Sequence, residues 1–313
     1  MNRTFSLVTG GTGGPHGIAP DPGDVDLPIR ADDLAGQRHA VSLAVPTAGD
    51  GPGGTERHPR MEGLGRIAEA CPCSRRSFAK LRGHAADAVV FDYIYGIETD
   101  EAPRPASAEE RRALDATRRM PVSRALRFRR SVLAHLVDEA ALHTRRPKVL
   151  SIMGGHLREI GLSGAAADDR LGEWMAFDWD LDNLAVVRRD YESLGAKTRA
   201  GTVQQFLDGR VALTGFDLTY AAGLPDLLDD VAAARLITRM VDVTRPGGQV
   251  VLSGFLPGFP DLGYMGSNMG WHPVCRSRDE VRSLFGPARS RVGDLRLFSD
   301  PDDIVAIARC TVL

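Results

Sequence analysis

Three stretches of this chain combine ionisable side chains with glycine turns in a way that suits ligand chemistry. Met153-Gly154-Gly155-His156-Leu157-Arg158-Glu159 follows the apolar run Val149-Leu150-Ser151-Ile152. Glycines directly after a strand let backbone approach a ligand closely. His156 stands where a helix is expected to begin. A helix N-terminus opposes added positive charge, so a neutral His156 could accept a proton there. Arg158 could grip a carboxylate or another anion with paired hydrogen bonds, or close a surface salt bridge. Asp178 ends a second apolar run, with Asp180 two residues on. A carboxylate in that place can accept from both hydroxyls of a ribose; the plainer alternative is a helix N-cap. The third stretch, 256–275, is glycine-rich and carries Tyr264, Asn268, Trp271 and His272, while Asp226 stands just past a further apolar run.

The elements that must position these groups follow from the hydrophobic periods. Strands are expected at Lys148–Met153, Glu173–Phe177, Lys197–Ala200, Phe216–Ala221 and Gln249–Phe255, with two more near 291–297 and 303–312. Helices are expected at Leu181–Leu194, with Leu184, Val187 and Tyr191 on one side, and at Asp229–Val243, with Val231, Leu236, Ile237, Met240 and Val241 as the buried stripe. Arg245-Pro246-Gly247-Gly248 reads as a tight structural turn. Five strands alternating with helices, then a terminal pair, imply an α/β fold with a doubly wound, Rossmann-like seven-stranded sheet. Ligands of such sheets sit at the C-terminal strand ends.

Upstream, residues 62–146 read as helical. Ser107-x-x-Glu110 is a capping box, Pro121 ends that helix, and Ser123–His143 carries Leu126, Leu133, Leu136 and Val137 near one face. Between these helices lies the aromatic run Phe91-Asp92-Tyr93-Ile94-Tyr95, expected to pack against the main domain, with a lid over a pocket as the alternative. Residues 1–61 are rich in Gly, Pro, Asp and Thr and are expected to be largely irregular. The stretch Ser6–Gly14 imitates a dinucleotide-binding glycine loop, but Pro15, Pro20 and Pro22 follow where a helix is required, so no such site is expected. Three segments result: 1–61, a helical lid or oligomerisation region at 62–146, and a Rossmann domain at 147–313.

Composition narrows the function classes. The net charge of -2 over 313 residues argues against a sequence-independent grip on nucleic acid. No apolar run reaches the roughly 20 residues of a membrane helix, and the short apolar start is no secretory signal. A cytoplasmic protein is expected. Of the four cysteines only Cys71 and Cys73 are close. A lone C-x-C pair is weak evidence for zinc, so free thiols and no metal are expected.

The pieces VLSI…RE, FDWDLDNL, FDLTYAAGLPDLLDD, RPGGQVVLSGF and WHPVCRSRDEV, in that order, resemble class I S-adenosylmethionine (SAM)-dependent methyltransferases over residues 147–313. Within them the resemblance is greatest to the bacterial family making methyl esters of 3-hydroxy fatty acids. It implies SAM as cofactor: Gly154 and Gly155 against its methionine part, Asp178 and Asp180 at the ribose, Thr202 and Val203 beside adenine, Tyr220 and Ala221 under the sulfonium. It also implies His272 as general base or substrate orienter, with Asp226 assisting and His156 as a further acceptor. Tyr93, Tyr95, Arg158, Tyr264, Asn268 and Trp271 would contact substrate. The implied enzyme methylates an oxygen or nitrogen of a small molecule in bacterial natural-product or antibiotic biosynthesis. The chain departs from the family at His156 and at Leu157, which stands where a second glycine usually lies. That departure keeps two other readings open: a fold repurposed for non-methylating cyclisation or elimination, with Arg158 steadying a leaving anion, and a non-catalytic partner subunit. Homo- or hetero-oligomers through the N-terminal helices would be compatible with each.

Overall fold

In the computed structural model, which describes residues 67–313, the expected apolar runs pair into one seven-stranded sheet. The strands are β1 (Lys148–Ile152), β2 (Glu173–Asp178), β3 (Ala196–Ala200), β4 (Phe216–Ala221), β5 (Thr244–Phe255), β6 (Val292–Ser299) and β7 (Val305–Val312). Their order is β3-β2-β1-β4-β5-β7-β6. The first five run parallel, and β7 inserts antiparallel between β5 and β6. The order reverses between β1 and β4, so the crevice for a ligand opens over their C-terminal ends. The central strands are buried on both faces, which is why they read as apolar runs rather than alternating ones.

The helices are α1 (Pro72–Ala79), α2 (Ala88–Tyr95), α3 (Ala108–Arg119), α4 (Pro121–His143), α5 (Gly164–Ala167), α6 (Leu181–Tyr191), α7 (Val203–Leu207), α8 (Asp230–Val243), α9 (Leu262–Met269) and α10 (Arg278–Leu284). Their starts are written locally. Ser107 caps α3 by accepting from Glu110 N, as the spacing predicts. Pro121 both ends α3 and opens α4, because its fixed φ suits the first helical position. Leu126, Leu133, Leu136 and Val137 are buried along α4. The stripe on α8 differs from expectation at one residue. Val231 is 73% exposed, and Ala233 joins Leu236, Ile237, Met240 and Val241 instead. The helix begins only at Asp230, and its first turn lies at the surface.

Arg245-Pro246-Gly247-Gly248 is built as a bulge. Phe216 pairs with Thr244 and Leu218 with Gln249, so the four residues loop out opposite Asp217, and Arg245 closes an ion pair with that carboxylate. A Cβ on Gly248 would lie 2.7 Å from the Thr244 methyl and 2.9 Å from Arg245 O. Gly248→Ala is therefore expected to lower stability by about 1–3 kcal/mol, read as a lower urea midpoint with unchanged slope.

Two apolar clusters result. One fills the faces of the sheet. The other is made by α1–α4 together with Phe255, Phe259, Tyr264, Met265, Met269 and Trp271. All four cysteines are free thiols, and the described residues hold no group of three or more His, Cys, Asp or Glu placed to bind a metal. No described helix is long and apolar enough to cross a membrane. The readings made for residues 1–61, including the imitation glycine loop, lie outside the described residues.

Candidate functional site

Where the second cluster meets the strand ends, the interior turns polar. The turn after β1 is wound through three left-handed residues, Met153 (φ 54°), Gly155 (φ 59°) and Leu157 (φ 51°). Leu157 thus keeps the backbone conformation that a glycine would adopt freely, at a cost of about 1–2 kcal/mol, and buries its side chain completely. A Cβ on Gly154 would lie 2.2 Å from Ser151 Oγ. A Cβ on Gly155 would lie 3.0 Å from that of Ala88, so the first turn of α2 rests on this loop.

The winding carries Gly155 N to 3.2 Å from Asp178 Oδ2, at the end of β2. Asp178 also accepts from Asp180 N at 2.9 Å and from Asn183 Nδ2 at 3.5 Å. Its side chain is enclosed, and burial is the main reason its pKa rises to about 7; the neighbouring Asp180 carboxylate adds to the rise, while its hydrogen bonds oppose it. The helix-cap alternative falls to Asp180, whose carboxylate accepts from Asp182 N and Asn183 N and pairs with Arg82 at 2.9 Å. That leaves Asp178 without a direct cationic partner among the described residues. Trp179, next along, packs edge-on against His84, whose pKa burial lowers to about 4.

Beneath the loop lies a charged network absent from the sequence reading. Asp92, from α2, is fully buried. It accepts from Arg158 Nε at 2.7 Å, from Arg158 Nη2 at 2.8 Å and bonds His156 Nδ1 at 2.9 Å. Arg158 also reaches Asp190 at 2.7 Å and Tyr191 Oη at 3.1 Å. Burial alone would raise the Asp92 pKa, but the hydrogen bonds from Arg158 and His156 hold it below the usual carboxylate range. Further along the same layer, Tyr220 Oη donates to Glu159 Oε1 at 2.6 Å and accepts from Trp174 Nε1 at 2.9 Å. Burial pushes the Glu159 pKa up. Arg129 is buried too, over the Phe91 ring and facing Tyr95, Asp226 and Glu159.

Several expected roles change on this geometry. Arg158 is neither an anion grip nor a surface pair, because its guanidinium is saturated internally. Tyr220 is fully buried with its hydroxyl held between Glu159 and Trp174, and Ala221 beside it ends β4. Thr202 forms a capping box with Gln205 and opens α7, so its hydroxyl serves the helix; Val203 is buried. His272 is exposed, its ring against Gly266 of α9, whereas Asp226 is 2% exposed and accepts from Phe255 N at 3.0 Å. The expected assistance of His272 by Asp226 therefore loses its basis, and His272 leaves the enclosed layer. Tyr264 shares a hydrogen bond with Ser74, Trp271 packs on Phe91 and Phe255, and Tyr93 is buried, so these form the apolar covering. Asn268 bonds its neighbour Ser267, and Tyr95 lies under Arg130.

Ser151 Oγ, His156 Nε2, Trp179 Nε1 and Ser253 Oγ are among the buried polar atoms of the described residues that lack a hydrogen-bond partner. Each belongs to the C-terminal part of β1, β2 or β5 or to the turn after it. Native proteins leave few such atoms unsatisfied, and at a crevice they fit a polar ligand. Together with the Asp178 carboxylate, whose two contacts on Oδ2 are long, they fit a nucleoside better than an apolar molecule.

No family model matches this sequence, and no curated protein matches it. Among solved structures, a possible exported protein from Bordetella parapertussis aligns with TM-score 0.63 at 18% identity, over 81% of this chain and 87% of that one. The magnesium protoporphyrin IX methyltransferase of Synechocystis, with bound S-adenosylhomocysteine, aligns with TM-score 0.45 at 10% identity, over 62% and 88%. The N-methyltransferase NodS of Bradyrhizobium japonicum, also with S-adenosylhomocysteine, gives 0.42 at 15%, over 59% and 87%. At 18% identity the likeness to the Bordetella protein is one of fold.

Proposed function

We propose that this chain is a SAM-dependent methyltransferase acting on an oxygen or nitrogen of a small molecule, in the cytoplasm of a bacterium and in specialised metabolism. The observation that carries the reading is the contact between Gly155 N and Asp178, which joins the glycine turn and the acid of β2 at one crevice. The sequence order of the motifs supports it, as does the set of partnerless polar atoms at the same strand ends.

When bound, SAM supplies an electrophilic methyl group on a sulfonium. Asp178 would hold the ribose hydroxyls, and the backbone of Gly154 and Gly155 would border the methionine part. Trp179 Nε1 offers a donor beside them. The apolar covering of α1–α4 and segment 255–271 would keep water from a ligand bound there, which would strengthen each of these hydrogen bonds. The protein's main contribution is then alignment of nucleophile and methyl group.

The non-methylating alternative leaned on a remodelled loop and on Arg158 as an anion holder. Leu157 retains the left-handed backbone of a glycine, and Arg158 is fully engaged, so both supports weaken. Calorimetry with SAM and with S-adenosylhomocysteine tests the proposal. Saturable binding of both is expected, and the absence of heat with either ligand, alongside a folded protein, would refute it.

A further inference from the structure

We infer that His156 is the general base of this crevice and Asp92 its positioning residue, so that the methyl acceptor is a neutral hydroxyl or amine that must lose a proton. The inference rests on the methyltransferase reading and deepens it. His156 is 3% exposed, with Nδ1 held 2.9 Å from Asp92 Oδ2. Asp92 in turn takes two hydrogen bonds from Arg158, which fix its carboxylate plane. A carboxylate at Nδ1 selects the tautomer with its proton on Nδ1 and leaves the lone pair on Nε2. That Nε2 is buried and has no hydrogen-bond partner among the described residues. A buried imidazole nitrogen left bare costs free energy unless a ligand supplies the missing hydrogen, and this one follows directly on Gly155, at the turn that touches Asp178.

The step balances without another reactant. The acceptor O–H or N–H gives its proton to Nε2 while its lone pair forms the bond to the methyl carbon. The carbon–sulfur bond breaks, its electrons return to sulfur, and the sulfonium becomes a neutral thioether. The imidazolium so formed lies against Asp92. The charged groups around it are Asp92 from α2, Arg158 from the turn after β1, and Asp190 from α6, which also pairs with Arg189 at the surface. Arg158 Nη2 lies 3.5 Å from the same Nδ1. A carboxylate acceptor would need no base, and this arrangement would serve nothing for it.

Two measurements test the inference on the full chain. Nitrogen-15 imidazole spectra of wild type and His156→Gln identify the His156 ring by its loss. A ring protonated at Nδ1 and bare at Nε2 is expected, and a proton resident on Nε2 would overturn the assignment. Methyl transfer to a panel of phenols and of carboxylic acids is then followed by S-adenosylhomocysteine release. His156→Gln should slow phenol methylation about 10²-fold or more at pH 7, with recovery as the pH passes the phenol's own pKa. Unchanged phenol rates, or transfer confined to carboxylic acids, would refute the role. Calorimetry with SAM on both proteins keeps the two readings apart: a wrong tautomer with intact SAM binding sinks only the base, whereas no SAM binding sinks the enzyme reading.

Discussion

Asp178→Ala is expected to weaken SAM binding about 10²–10⁴-fold at pH 8, measured by calorimetry. Two hydrogen bonds to a charged acceptor are worth about 1.5–3 kcal/mol each. The wild-type affinity should itself depend on pH. Burial lifts the Asp178 pKa to about 7 in the free protein, whereas ribose hydroxyls need the ionised form as acceptor. Binding therefore expels a proton below that value, and affinity should fall toward tenfold per pH unit as the solution is acidified from 7. Above pH 7 it should level off. Asp178→Ala should lose that slope along with the affinity, and equal binding by the two proteins would sink the ribose assignment.

The same carboxylate makes a second, opposite statement about stability. Its folded pKa lies above the unfolded value near 3.8, so the folded state holds the proton more tightly. A penalty for ionising it sets in as pH rises past 3.8 and is complete above about 7. Without ligand, Asp178→Asn should therefore be more stable than wild type at pH 8, by up to about 4 kcal/mol, and no more stable at pH 4. Greater stability with loss of ligand is the signature of a group kept for binding rather than for the fold.

Asp92→Ala should do the reverse and destabilise the chain by about 3–5 kcal/mol at pH 7, read by urea unfolding. Removing one partner of a buried ion pair leaves the other charge without compensation. Arg158 would keep Asp190, which is partly exposed, and Tyr191, but lose both bonds to its enclosed partner. Because the folded pKa of Asp92 is depressed, its stabilisation is present above the unfolded value and disappears as pH falls through the folded one. The gap between wild type and Asp92→Ala should narrow only in that acidic range. Combining Asp92→Ala with Arg158→Met should recover part of the loss, since no guanidinium is then left without its buried carboxylate. Additive losses in the double variant would show that the pair is not coupled.

The sequence by itself determined the layered α/β architecture, the seven strands and the place of Asp178 at the end of β2. Those features are local: an apolar run of strand length, a turn of glycines, a cap spaced three residues from its glutamate. Ser107 and Pro121 each act on backbone groups within a few positions, so neighbouring residues suffice to read the elements they bound. Tertiary structure alone decided which charges meet and which side chains face the crevice. Asp92 lay unnoticed within an aromatic run, its one available signal being a carboxylate among otherwise buried neighbours. It finds Arg158 across 66 residues of chain only because α2 settles on the glycine turn. Tyr220 turns to Glu159, and His272 stays at the surface, for the same reason. The hydrophobic period fixes which residues are buried, but the partner of a buried polar group depends on how separate elements dock, and that information resides in three dimensions.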